Sequence, residues 1–280
     1  MSSARAWLRL ARISNTPTVV SNTVAGAVLV PSAPDAVTVA QVAVAMALLY
    51  TAGMVLNDIA DVEIDRRERP ERPIPSGAIS VGAATGVFSA LVGSALTLLA
   101  ALDLGAFLAG IGLVALIVVY DFWHKANPLS PVLMGACRAM VYVIAGLAVA
   151  DALNAALWGA AAVMLVYLVG LTQVAKAEGG GVAARWPVVA VLAPAAYWAK
   201  ELPDPAVALL IAAFLVWVGF ALWLVLARRR IGAGVARLIA GIAVYDALVV
   251  AGAGGGAVAL VVCLAAFAAT IALQTKVAGT

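Results

Sequence analysis

Charge is scarce in this chain. Only 11% of its 280 residues are Asp, Glu, Lys or Arg, where a soluble domain carries about a quarter. Histidine occurs once, as His124, so a histidine-built metal centre is excluded. Cysteine occurs twice, as Cys137 and Cys263, in separate apolar runs and without a CxxC spacing, which gives no redox or zinc motif. The net charge of +3 does not point to nucleic acid, because the basic residues fall in short gaps between apolar runs. What the chain does have is 65% hydrophobic residues and a mean hydropathy of +1.09. That is the composition of a polytopic membrane protein. Alanine, valine and glycine dominate, which suits close helix packing in lipid.

Apolar runs fall at about 14–30, 36–56, 80–101, 104–120, 131–150, 155–176, 186–200, 206–226, 232–252 and 256–275. A span takes about 20 residues. The runs at 104–120 and 186–200 are short, so the expectation is an all-α bundle of nine to ten spans forming one domain over 1–280. Basic residues set the orientation. With a cytoplasmic N-terminus, the inside segments hold Arg5, Arg9, Arg12, Arg66, Arg67, Arg69, Arg72, Lys125, Lys176, Arg185, Arg228, Arg229, Arg230, Arg237 and Lys276, while the outside segments hold Lys200 alone. This asymmetry follows the positive-inside rule and favours ten crossings in a bacterial-type inner membrane. Two inner loops, 57–80 and 176–185, are polar and open on the same side.

The first of these loops begins Asn57-Asp58-Ile59-Ala60-Asp61-Val62-Glu63-Ile64-Asp65-Arg66-Arg67. Asn57, Asp61 and Asp65 are spaced four apart and share one helical face, with Asp58 beside them. Carboxylates crowded in this way repel one another unless cations neutralise them. Hard divalent ions such as Mg2+ prefer oxygen ligands of this kind and share them with substrate phosphates. Arg66, Arg69 and Arg72 follow at once, and guanidinium groups hold phosphate. Carboxylates for a metal and arginines for an anion, at the mouth of a membrane bundle, suggest a site for a lipid diphosphate. The plainer alternative is a solvated charged loop. Arg72-Pro73-Ile74-Pro75-Ser76-Gly77 reads as a rigid turn back into the membrane.

These residues resemble the UbiA superfamily of intramembrane prenyltransferases, which carries NDxxDxxxD after the second span and then an RPxxxG turn. Here the positions are Asn57, Asp58, Asp61 and Asp65, then Arg72, Pro73 and Gly77. The resemblance implies a helical bundle around a central cavity open to lipid. It also implies Mg2+-dependent transfer of an isoprenyl group from its diphosphate to an aromatic or other lipophilic acceptor. It implies Mg2+ ligation by Asn57, Asp58, Asp61 and Asp65, with Asp58 and Asp61 catalytic, and diphosphate binding by Arg72, with Arg66 and Arg138 as further candidates. After the fourth span the family places a tyrosine and a lysine near the diphosphate. Tyr120 and Lys125 are the nearest equivalents, although a YxxxK spacing selects His124.

The second loop departs from the family, which has a further acidic motif there. Gln173 and Lys176 stand where ligands are expected, and Glu178 is the one carboxylate that survives. A lysine can bind phosphate as a point charge, so Lys176 could replace one metal ion in catalysis. The altered motif also leaves a second reading open: a UbiA-like protein that binds or moves an isoprenoid-like or aromatic metabolite. Within the spans, Asn22, Arg138, Tyr142, Thr172, Gln173 and Asp246 are polar or ionisable. Such residues default to functional hypotheses, with an interhelical hydrogen bond or ion pair as the alternative. Arg138 could reach the diphosphate or pair with Asp246.

Overall fold

The computed structural model describes residues 3–31, 35–124, 127–176 and 186–276. Thirteen α-helices are described: α1 (Ser3–Leu10), α2 (Pro17–Val28), α3 (Ala36–Ala60), α4 (Val62–Glu68), α5 (Val81–Leu102), α6 (Leu104–Trp123), α7 (Ser130–Leu147), α8 (Ala155–Lys176), α9 (Trp186–Ala190), α10 (Ala193–Trp198), α11 (Pro205–Leu226), α12 (Ile231–Gly252) and α13 (Ala257–Gln274). Eight of them, α3, α5, α6, α7, α8, α11, α12 and α13, are long and apolar enough to cross a membrane.

The other two apolar runs form shorter pieces. Residues 14–30 give a turn of 3-10 helix and then α2, whose first residue is Pro17. Proline suits that position because the first helical N–H has no partner to lose. Residues 186–200 break into α9 and α10. Pro194 lacks the N–H that a continuous helix would need there, so α10 restarts with that proline in its first turn. The bundle is therefore built from ten apolar segments, eight of them unbroken helices.

Side-chain caps set the first turns of three of these helices. Asp35, Asp103 and Asp204 each accept a backbone N–H from the first turn of α3, α6 and α11. The Thr38 N–H in particular holds the exposed Asp35 carboxyl below its usual range. Helix α12 is the axis of the bundle, with 78% of its spanning stretch buried against 11% for α5. It packs on α11, α13, α2 and α8. Its Tyr245 is fully buried, as are Tyr142, Tyr167 and Phe214 on α7, α8 and α11. Leu108, Ile111, Phe122 and Trp123 of α6 and Val258 and Val261 of α13 are left on the outside, as a lipid-facing surface requires.

Small residues let the helices touch. A Cβ on Gly26 of α2 would lie 2.8 Å from both Cα and O of Tyr142 in α7. Gly26→Val is expected to lower stability in detergent by about 2–3 kcal/mol, since the backbone of α7 cannot rotate aside as a side chain could. Thermal unfolding would read this, and an unchanged midpoint would show that α2 and α7 can part at no cost.

Candidate active site

The acidic motif straddles the end of α3 and the start of α4. Asp61 sits at the junction with φ −91° and ψ 0°, yet the helical hydrogen bonds run through it. The Asp61 N–H donates to Asn57 O at 3.0 Å, and the Asp65 N–H donates to Asp61 O at 2.9 Å. The expected four-residue register therefore holds in space.

The motif divides into two adjoining pairs. Asp58 and Asp65, two helical turns apart, are both buried. Arg72 joins them, with Nη1 2.7 Å from Asp65 Oδ2 and 3.4 Å from Asp58 Oδ1. Arg12, between α1 and α2, adds a second guanidinium 3.5 Å from Asp58 Oδ1. Asn57 and Asp61 turn toward the end of α6. The Asn57 amide nitrogen donates to Asp121 Oδ1 at 3.0 Å, and its oxygen accepts from Arg12 at 3.3 Å. His124 Nε2 lies 4.0 Å from Asp61 Oδ2, and its ring stacks on Tyr120 with centroids 5.0 Å apart.

Arg72 is placed by the turn that follows it. The Ser76 N–H donates to Arg72 O, and the Ile79 N–H to Pro73 O, each at 3.0 Å. Gly77 takes φ +75°, a conformation that glycine adopts without strain. Ile74 and Ile79 then plug into a small core with Ala6, Leu10 and Val55. Helix α1 thus pins the loop against the end of α3.

The other expected residues are distributed as follows. Arg66 is exposed and pairs with Glu63 on the outer side of α4, away from the buried carboxylates. Lys176 ends α8, and its Nζ donates to Ser130 Oγ at the start of α7, at 2.7 Å. Gln173 is half-buried on α8, just under one turn before it. Lys125 and Glu178 lie outside the described residues. The ends of α3, α6 and α8 and the start of α7 therefore meet at one face of the bundle.

Arg138 lies at the middle of α7 rather than toward an end. It does not contact Asp246 directly. Its Nη1 donates to Asn22 Oδ1 at 2.9 Å, and the Asn22 amide nitrogen donates to Asp246 Oδ1 and Oδ2 at 2.8 and 2.9 Å. Asp246 also accepts from Ser21 at 2.5 Å and from the Tyr142 hydroxyl. An asparagine is thus interposed in the expected ion pair.

Sequence reasoning missed Asp121. It is buried, and its Oδ2 has no hydrogen-bond partner among the described residues. The available signal was a carboxylate directly after an apolar run, one residue past Tyr120 and followed by Phe122 and Trp123. Tyr120, Asp121 and Arg138 line one cavity of about 90 Å3 whose walls are otherwise mostly apolar, including Met46, Leu113 and Ile117.

The donor set suits a hard cation. Asn57, Asp58, Asp61 and Asp65 offer only oxygen toward a metal, and the orphaned Asp121 oxygen adjoins them. Among the described residues, however, no three carboxylate, imidazole or thiolate groups converge closely enough to hold an ion. Arginines supply the positive charge in this arrangement.

A polytopic helical membrane protein with a carboxylate–guanidinium mouth opening on an apolar cavity is the class these features define. The model of the UbiA prenyltransferase family matches residues 19–247, and the chain belongs to that family. It is 32% identical over 124 residues to the 4-hydroxybenzoate octaprenyltransferase of Pseudoalteromonas atlantica, covering 44% of each chain. It is 34% identical over 85 residues to the digeranylgeranylglyceryl phosphate synthase of Sulfolobus acidocaldarius, covering 30% of each. The chain thus spans less than half the length of these relatives. In fold it resembles a UbiA homologue from Archaeoglobus fulgidus bound to GPP and Mg2+, with a TM-score of 0.55 at 16% identity over 96% of this chain and 99% of that one.

Proposed function

We propose that this protein transfers an isoprenyl group from a prenyl diphosphate to an aromatic or other lipophilic acceptor within the membrane, using Mg2+. The observation that carries this reading is the Arg12–Asp58–Arg72–Asp65 cluster next to Asn57 and Asp61. It holds hard oxygen donors and anion-binding guanidinium groups in one place. Relatives named as prenyltransferases and a homologue holding GPP and Mg2+ support it.

Asn57, Asp58, Asp61 and Asp65 would hold the metal. When bound, Mg2+ supplies charge neutralisation for the departing diphosphate. Arg72 and Arg12 orient the diphosphate and take up its charge as the carbon–oxygen bond breaks. Lys176 adds a cation on the α8 side of the same mouth, with Lys125 a further candidate for the diphosphate and Glu178 a further candidate metal ligand. Tyr50, Tyr120 and the apolar cavity walls exclude water from the allylic carbon as it becomes positive. The acceptor forms its bond to that carbon and gives up a proton. The excess of basic residues in the loops on this side supports a cytoplasmic mouth and N-terminus in a bacterial-type inner membrane.

Geranyl diphosphate should bind the purified protein only with Mg2+, and Asp61→Ala should weaken that binding by about 10-fold or more through the loss of one charged ligand. Diphosphate release with a panel of aromatic acceptors completes the test. Binding that ignores both Mg2+ and Asp61 would overturn the reading. The Lys176–Ser130 contact, a cation where the family carries acid, favours a second reading as a binding or carrier protein. Binding without release for any acceptor is its signature.

A further inference from the structure

Asp121 carries a charge that nothing answers. Its side chain is buried near the C-terminal end of α6. One oxygen, Oδ1, accepts the Asn57 amide N–H at 3.0 Å. The other, Oδ2, is shut off from solvent and has no partner among the described residues. Of the buried side-chain atoms left without a partner there, it is the only carboxylate oxygen. Protonation does not resolve this, because a carboxylic O–H needs an acceptor in turn. A buried carboxylate in this state is costly until a cation meets it.

The nearby basic side chains are engaged elsewhere. Asp121 makes no ion pair among the described residues. Arg12 and Arg72 lie against Asp58 and Asp65. Arg138 lines the same cavity as Asp121, but its Nη1 donates to Asn22 of α2. On the α8 side Lys176 donates to Ser130.

A second carboxylate stands beside Asp121. Asn57 and Asp61 are one turn apart at the end of α3, and Asp121 and His124 are three residues apart at the end of α6. The two edges face each other in register. Asn57 meets Asp121, and His124 Nε2 lies 4.0 Å from Asp61 Oδ2. Asp61 and Asp121 therefore flank one stretch of the mouth from different helices. Asn57, by holding Oδ1, fixes which Asp121 oxygen stays available.

Two carboxylates do not close a cage, and no three such groups converge among the described residues. Mg2+ does not require one. It commonly takes one or two carboxylates and completes its shell with substrate phosphate and water. The cavity that Asp121 lines encloses about 90 Å3, against roughly 30 Å3 for one water, which leaves room for the waters of such a shell.

We infer that Asp121 is a divalent-cation ligand through Oδ2, and that it draws the ion to the α6 side of the mouth, nearer Asp61 than the arginine-held Asp58 and Asp65. This ligand comes from a second helix, outside the acidic motif. The inference rests on the transferase reading for the diphosphate that completes the shell, but the ion can be measured without turnover.

The test uses the purified full chain in detergent. Mn2+, a cation suited to the same oxygen ligands, is titrated without diphosphate while its free-ion electron paramagnetic resonance signal is followed. The wild type should bind it saturably, and excess Mg2+ should displace it. Asp121→Asn keeps an oxygen to accept from Asn57 and gives up the charge. It should weaken Mn2+ by about 10-fold or more. If Asp121 only aimed the Asn57 amide, the asparagine would do so as well and no such loss would follow. Asp121→Ser is a second neutral variant, should the first not fold, and should lose as much. Asp121→Glu restores the charge one methylene further out and should recover part of the affinity. Glu63→Gln, on the exposed side of α4, should change nothing. In a second arm, geranyl diphosphate binding is followed as Mg2+ is varied. Asp121→Asn should raise the Mg2+ needed for half-maximal binding by about 10-fold, and excess Mg2+ should restore the binding.

No saturable Mn2+ binding by the wild type would overturn the inference. So would neutral Asp121 variants that bind Mn2+ as the wild type does, or a Mg2+ requirement that they leave unmoved. A wild type that binds Mn2+ through Asp121 and yet ignores geranyl diphosphate would strike the transferase reading alone.

Discussion

Arg72→Met is expected to lower the stability of the metal-free protein by about 3–5 kcal/mol, the usual cost of removing one partner from a buried ionic cluster. Arg72 lies 2.7 Å from Asp65 and 3.4 Å from Asp58, and those two carboxylates are only 5% and 7% exposed at the side chain. Without Arg72 both carboxylates stay out of water, and Arg12 at 3.5 Å answers only Asp58. Their mutual repulsion across two helical turns is then uncompensated. Arg72→Lys should lose less, because it keeps the charge and gives up the fork that spans both oxygens.

The same variant discriminates a metal site from a structural ion cluster. If Asp58 and Asp65 take part in binding Mg2+, the ion can supply the charge that Arg72 no longer does. Millimolar Mg2+ should then raise the unfolding midpoint of Arg72→Met more than that of the wild type, in which the arginine already occupies the carboxylates. Equal shifts in both proteins would mean that these two carboxylates are held by arginine alone. Thermal unfolding in detergent, with and without Mg2+, is sufficient to read it.

The line of the first motif was legible in the sequence because it is a local matter. Four-residue spacing puts Asn57, Asp61 and Asp65 on one face whatever surrounds them, and the junction at Asp61 keeps those hydrogen bonds. The turn at Gly77 was legible for the same reason. The division of the motif into an Arg72 pair and an α6-facing pair was not, because it depends on where Asp121 and Arg12 arrive from elsewhere in the chain. Hydropathy located all ten apolar segments but not the break between α9 and α10, since Pro187 and Pro194 scarcely lower the mean over such a run. Asp246, Asn22, Tyr142 and Arg138 were each conspicuous as polar residues in lipid. Their pairing was not, because contacts between residues 104 to 224 positions apart leave no periodic trace in a single chain.

That last network sets the second large effect. Asp246→Leu should cost about 3–5 kcal/mol, because it strands several donors at once and each buried donor left unsatisfied costs about 1–3 kcal/mol before any relaxation. The Ser21 hydroxyl, the Asn22 amide and the Tyr142 hydroxyl all end on the Asp246 carboxylate, and none of the four residues shows more than a trace of surface. Leucine is close in size and adds apolar contact on α12, so the loss would report polar satisfaction rather than a cavity. Asp246→Asn should be milder. Its one oxygen can still accept from Tyr142 or Ser21, but its amide nitrogen then meets the donating nitrogen of Asn22. Tyr142→Phe removes a single donor together with its need for a partner and should cost only about 1 kcal/mol. Unfolding midpoints for the three variants should therefore fall in the order Tyr142→Phe, Asp246→Asn, Asp246→Leu. A leucine variant as stable as the wild type would mean that α2, α7 and α12 are held by shape alone, and that the carboxylate at the centre of the bundle does not hold the fold.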